Sequence, residues 1–335
     1  MVALNRSLLR VGLASCFSVS ITSLTVYQVY ASQLGRSQLH RLTAMANQRI
    51  GRVDTWLTTQ RSLLRQQLAN TSILVAGRQL LSAPRRSRLA PPSASALALD
   101  QAFRPSSSLR VSTSLLSNGG IVFYSTQSNL LGRYRPLTNT TTLLQQHELE
   151  SKPYNLYTDG ETGLPAITLA LPLYAVGTDE RGVPDRSDTR LGVLAAGLDL
   201  GVLVRRVRED SPQSTVSIML VGQTGLGTIT EVYAEVPKGL PSSAPHSARS
   251  LPPLSSSAIL RAMDGFSGSG AYLDANGVPV LGVYRWIPSL RMALLVESPQ
   301  SVAFAPARRI ARNIFIFGNA FVLFLCFLFS RRKSA

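Results

Sequence analysis

The chain has 335 residues, 45% of them hydrophobic, which is enough to build packed cores and excludes wholesale disorder. Its formal net charge is +16 and nearly all of it is arginine, with Lys152, Lys238 and Lys333 the only lysines. The cysteines Cys16 and Cys326 lie inside apolar runs, and His40, His147 and His246 lack metal-ligand spacing, so a disulfide framework, a thiolate centre and a histidine metal site are all excluded.

Residues 1–10 read as a cytoplasmic N-terminus ahead of an uncharged apolar segment, residues 11–31, expected as a transmembrane helix. The alternative is a secretory signal peptide cut after Ala31, but the apolar stretch exceeds the roughly 7–15 residues of a signal core. A stalk helix is predicted over residues 36–81. Leu39, Leu42, Ala46, Ile50, Val53 and Leu57 recur at steps of three and four, and Leu64, Leu68 and Val75 continue the stripe. Such a stripe suits a partner helix in a homodimer, a domain core, or first one and then the other. Arginines crowd residues 36–110, opposed only by Asp54 and Asp100. Nucleic acid is not an expected partner of a domain held outside between two anchors. A solvated face, anionic lipid headgroups or an anionic ligand account for the charge.

A Pro/Ser/Arg loop, residues 82–95, precedes a short helix at Ala96–Phe103. The strands "LRVSTSLL" and "GIVFYST" flank Asn118-Gly119-Gly120, a strong hairpin turn. A short helix is expected over Thr140–Glu150. "PAITLALPLYAV" and "RLGVLAAGLDL" then read as adjacent antiparallel strands around the polar loop Gly177–Thr189, with Asp199 placed to cap a helix begun by "LGVLVRRV". The plan repeats in shorter form. "STVSIMLVG" and "GTITEVYAEV" bracket a turn at Gln223–Leu226, a Pro/Ser loop leads to a helix at Ala258–Met263, and "GAYLD", "VPVLGVYRWI" and "LRMALLVES" come after it. Ser298 and Pro299 start a connecting helix, residues 299–312, with a kink expected at Pro306. Residues 313–330 form an uncharged run that spans a bilayer as a helix, and residues 331–335 are a basic cytoplasmic tail.

This order resembles the double Cache family, exported sensor modules built from two PAS-like units on a long helix. "GGIVFYSTQSNLLGR", "PAITLALPLY" with "LGVLAAGLDLGVLV", and "GFSGSGAYLDANGVPVLGVYRWIPSLRMALLVE" carry the resemblance, over roughly residues 36–330. It implies an α+β fold: a stalk helix, a membrane-distal Cache unit at residues 82–210 and a membrane-proximal one at 211–298, flanked by two transmembrane helices. The expected location is the inner membrane in two passes, with residues 36–305 outside. Receptors of this kind normally run on into a kinase, cyclase or methyl-accepting domain. Here residues 331–335 alone remain, so the expected role is a sensory module that relays to a separate membrane signalling protein. The rivals are a structural envelope scaffold and the remnant of a truncated receptor.

The family also implies a small ligand in the distal unit, between its sheet and a lid. The matching positions are Tyr124 and Thr126 on a strand, Arg133 and Arg135 just beyond, and Tyr154, Tyr157 and Asp159 in the lid. Tyrosine hydroxyls and forked guanidiniums suit a carboxylate; the same tyrosines also read as ordinary core aromatics. Amino-acid-binding members carry an Arg-x-Trp-Tyr signature and an aspartate in the last distal strand. Here "GRYRPLTN" lacks the Trp and Gly197 stands at about the aspartate position, so a carboxylate without an amine, or no ligand at all, is expected. No cofactor is expected, nor catalysis. Ser267 in "GFSGS" has no placed base, and the glycines of Gly222–Gly227 read as a hairpin turn.

Overall fold

The computed structural model describes residues 6–82, 94–103, 110–135, 154–158, 165–178, 184–201, 203, 215–223, 229–235 and 256–332. Helix α1, Arg6–Leu68, carries the first apolar segment and the stalk stripe in one element. Helix α2, Thr71–Ser82, starts after a break at Ala69 and Asn70, where the Asn70 side-chain oxygen accepts from the Ser72 amide at 3.1 Å and the Ser72 hydroxyl at 2.7 Å. An asparagine cap, not a Gly or Pro, makes the break, which is why the apolar stripe runs through it. Leu42, Ala46, Val53, Trp56, Leu57 and Leu64 are buried by the chain itself, so the stripe that suits a second copy is largely covered within one molecule.

Helix α3, Ala94–Phe103, buries Leu99 and Phe103. The first sheet contains β1 (Arg110–Ser117), β2 (Val122–Ser125), β3 (Tyr154–Thr158), β4 (Pro165–Thr178) and β5 (Pro184–Asp199) in the order β2-β1-β5-β4-β3. The second contains β6 (Ser217–Gln223), β7 (Ile229–Glu235), β8 (Gly268–Leu273), β9 (Pro279–Ile287) and β10 (Met292–Pro299) in the order β7-β6-β10-β9-β8. In both, the last strand to be made lies at the centre. Helix α4, Ser257–Met263, precedes β8 and is capped by Ser256, whose hydroxyl accepts from the Ile259 amide at 3.2 Å. The chain divides into two compact units, one of Met1–Met45, Ser269–Val283 and Val296–Ala335, the other of Ala46–Gly268 and Tyr284–Leu295.

The turns form where their residue types demand. Gly120 takes φ 79°, a left-handed conformation open to glycine, and donates its amide to the Ser117 carbonyl at 2.9 Å. Asp274 Oδ1 accepts from the amides of Asn276 and Val278, each at 2.8 Å, closing the turn between β8 and β9.

Three expectations need correction. The segment from Tyr154 is the edge strand β3, not a lid, because Tyr157 and Thr158 pair with Ala166 and Pro165 of β4. The pairing of β4 and β5 runs past its expected ends to Thr178 and Pro184, taking in part of the polar loop. The break near Pro306 falls at Phe304, between α5 (Gln300–Ala303) and α6 (Ala305–Arg332); the proline then sits in the first turn of α6, where its missing N–H costs nothing. The expected helix at Thr140–Glu150 lies outside the described residues.

Among the described residues, two helices are long and apolar enough to cross a membrane, α1 and α6. They approach closely at small residues. Ser23 donates its hydroxyl to the Ala311 carbonyl at 2.7 Å, and a Cβ on Gly318 would stand 2.6 Å from Val19. A Cβ on Gly12 would stand 3.1 Å from Cys326 Sγ, within the reach of a disulfide. Gly12→Cys in a Cys16→Ser background should therefore cross-link to Cys326 under mild oxidation, read by loss of thiol mass-tagging. Two free thiols after oxidation would separate the helices.

Candidate functional site

Strand β1 reads Arg-Val-Ser-Thr-Ser-Leu-Leu-Ser, and its period of two sends Ser112, Ser114 and Leu116 to one face. Register extends that face across the sheet. Ser112 stands opposite Gly197, Ser114 opposite Ala195, and Leu116 opposite Val193. Gly197 and Ala195 in turn stand opposite Thr168 and Ala170 of β4, and Ser114 stands opposite Ser125 of β2. One end of the face is apolar: Leu116, Val122, Ala170, Val193 and Ala195 pack together with Leu130 against them. The other end carries the hydroxyls of Ser112, Ser114, Ser125 and Thr168.

Arg135 enters at this polar end. The chain after β2 turns back on the hairpin, with the Val122 amide bonded to the Arg133 carbonyl at 3.0 Å and the Arg135 amide to the Gly120 carbonyl at 2.9 Å. The Arg135 guanidinium donates to Tyr157 Oη at 3.1 Å, Ser114 Oγ at 3.3 Å and Thr168 Oγ1 at 3.4 Å, and lies 5.4 Å from the centre of the Tyr157 ring. Ser114 Oγ in turn lies 3.0 Å from Ser125 Oγ. These partners of the cation are all neutral, and among the described residues no carboxylate pairs with it.

Gly197 makes room for the arrangement. A Cβ there would stand 2.5 Å from Tyr157 Oη and 2.9 Å from Ser112 Oγ, so the tyrosine hydroxyl lies over the bare backbone of β5. Ser112 Oγ, beside the same glycine, is buried without a hydrogen-bond partner among the described residues.

The structure thus brings together two of the residues expected from the sequence, Arg135 and Tyr157. It does not bring in Tyr124, which stands opposite Leu115 on the other face, its ring 6.3 Å from Phe103 of α3. Thr126 is spent on the backbone: its Oγ1 accepts from the Thr113 amide at 2.9 Å, extending the hairpin by one bond. The Arg133 side chain is exposed. Tyr154 stands opposite Thr168 in register, and Asp159 lies outside the described residues. Sequence reasoning missed Ser112, Ser114, Ser125 and Thr168. Their signal was hydroxyl residues at inward positions of otherwise apolar strands, as in "VSTSLL" and "AITLAL".

No family model matches the sequence, and no curated protein matches it. Among solved structures, the chain resembles the periplasmic domain of RsbU from Chlamydia trachomatis at 13% identity and TM-score 0.48, over 83% of this chain and 98% of that one. It resembles the sensor domain of the V. cholerae histidine kinase DctB at 11% identity and TM-score 0.47, over 79% and 98%. It also resembles the ligand-binding domain of the Campylobacter jejuni chemoreceptor Tlp3, solved with L-norvaline, at 16% identity and TM-score 0.47, over 81% and 94%. These neighbours are Cache-type sensor domains. At such identities none of them says what this chain binds.

Proposed function

We propose that this chain is a membrane-anchored extracytoplasmic sensory module whose first sheet binds a small carboxylate on Arg135 and relays its state to a separate signalling protein. What supports the anion is the Arg135 guanidinium, held against one sheet face by the Tyr157, Ser114 and Thr168 hydroxyls without a carboxylate among the described residues. An arginine fork is pre-organised for a planar carboxylate, and the surrounding hydroxyls add donors. Gly197, where an amine acceptor would stand in amino-acid-binding relatives, offers no charge, which favours acids without an amine. The anchors are α1 and α6, whose apolar stretches are long enough to span a bilayer.

The test is a thermal-shift and calorimetric screen of the full chain in nanodiscs against acetate, lactate, succinate and malate. Arg135→Ala should weaken the bound acid about ten- to a hundredfold, the worth of one charge-assisted hydrogen bond. Tyr157→Phe should weaken it several-fold, and Tyr124→Phe should leave it unchanged. Unaltered binding in Arg135→Ala would put the site elsewhere. For the layout, reporter fusions after Gln38 and after Ser334 are expected in opposite compartments; a cytoplasmic signal from the first would overturn it.

A further inference from the structure

Strand β10 is buried along its whole length, and Glu297 lies within it at 4% exposure. A carboxylate there gives up its hydration and needs donors in return. Its Oε1 has none. The neighbours that act on it come from β8 and the turn after it: the Tyr272 hydroxyl, which favours the ionised form, and the Asp274 carboxylate, which opposes it. No cation of the described residues is among them.

The surroundings repeat a device of the first sheet in a different charge. There, Tyr157 on the outermost strand β3 sends its hydroxyl over Gly197, two residues before the end of the central strand β5. In the second sheet, Tyr272 on the outermost strand β8 sends its hydroxyl over Gly282 of β9, where a Cβ would stand 2.1 Å from it. Glu297 likewise stands two residues before the end of the central strand, β10. The first sheet meets its tyrosine with a guanidinium and a glycine. The second meets it with a carboxylate.

We propose that the second sheet holds its own small-molecule site, an organic-ammonium site in which Glu297 Oε1 accepts the ammonium N–H and Tyr272 lies beside it. A primary ammonium supplies what the Glu297 carboxylate lacks: a compact positive charge with several donors, beside the Tyr272 hydroxyl and within the field of a second carboxylate, Asp274. Burial pushes the Glu297 carboxyl up to about 7, so near neutral pH an arriving ammonium displaces a proton that the carboxyl still holds. Nothing in this site involves Arg135, and the two sites stand or fall separately.

The experiment is calorimetry on the full chain in nanodiscs with methylammonium, n-butylammonium and benzylammonium chlorides, with tetramethylammonium, which has no N–H, as control. At least one primary ammonium should bind at pH 8, release protons near pH 7 and lose affinity as the pH falls further. Tetramethylammonium should bind at least about tenfold more weakly. Glu297→Gln should cost about tenfold or more, Tyr272→Phe a smaller factor, and Arg135→Ala nothing. If Glu297→Gln fails to fold, proton release by the native chain and the Tyr272→Phe loss decide the matter. No binding by any of the three probes, or equal binding in Glu297→Gln, overturns the site.

Discussion

Replacing Glu297 by Gln is expected to stabilise the chain at pH 8 by roughly 2–3 kcal/mol and to change little near pH 4. The carboxyl is raised from 4.5 to about 7 by burial, which outweighs the help of the Tyr272 hydroxyl. Between those two values the unfolded chain has already lost the proton that the folded chain still holds. Fewer protons in the unfolded state make stability fall as pH rises, so the penalty builds from about pH 4.5 and is complete just above pH 7. Each tenfold change in proton affinity is worth about 1.4 kcal/mol, and relaxation around the charge trims the total. Denaturant midpoints of the native and Gln chains, without added amines, should diverge across that window and run parallel above it. Parallel curves throughout would mean that Glu297 is solvated in the folded protein. An ammonium ligand should narrow the gap by stabilising the native chain at high pH.

Gly192→Ala should be among the most damaging single-methyl additions in the first sheet, costing about 3 kcal/mol or more. A Cβ at Gly192 would stand 2.3 Å from the Leu116 carbonyl oxygen and 2.7 Å from a Leu81 methyl. The leucine methyl has some freedom to yield, but the carbonyl belongs to the β1–β5 ladder, where Leu116 stands opposite Val193. Relief requires opening the sheet. Gly51→Ala is the matched control: the residue is exposed in α1, a Cβ there meets nothing within 4 Å, and the change should stabilise by about 0.5–1 kcal/mol. Melting temperatures of the two variants should move in opposite directions. A mild effect at Gly192 would show that β1 and β5 are less tightly joined than their register implies.

Gly192 and Gly197 lie five residues apart on β5 and therefore on opposite faces, one serving Leu81 of α2 and the other Tyr157 of β3. The sequence by itself determined the apolar runs, the hairpin turns at Asn118-Gly119-Gly120 and Asp274–Gly277, and the alternation in β1, β4 and β5. These are local: residue types at a turn, or a period repeated over enough residues to read. By resemblance it also named Arg135 and Tyr157 together, and the structure brings the two within hydrogen-bond distance. Only the tertiary structure decided which face each alternation serves, because a period of two separates two faces without saying which receives the returning chain. That is why Tyr124 was expected beside Arg135 and lies instead against Phe103, while Ser112, Ser114 and Thr168 went unread. Strand β3 is five residues long, too short for its pattern to declare itself, and is a strand by virtue of its pairing with β4. The burial of Glu297 was hidden for a related reason: the residues that act on it, Tyr272 and Asp274, are distant in sequence.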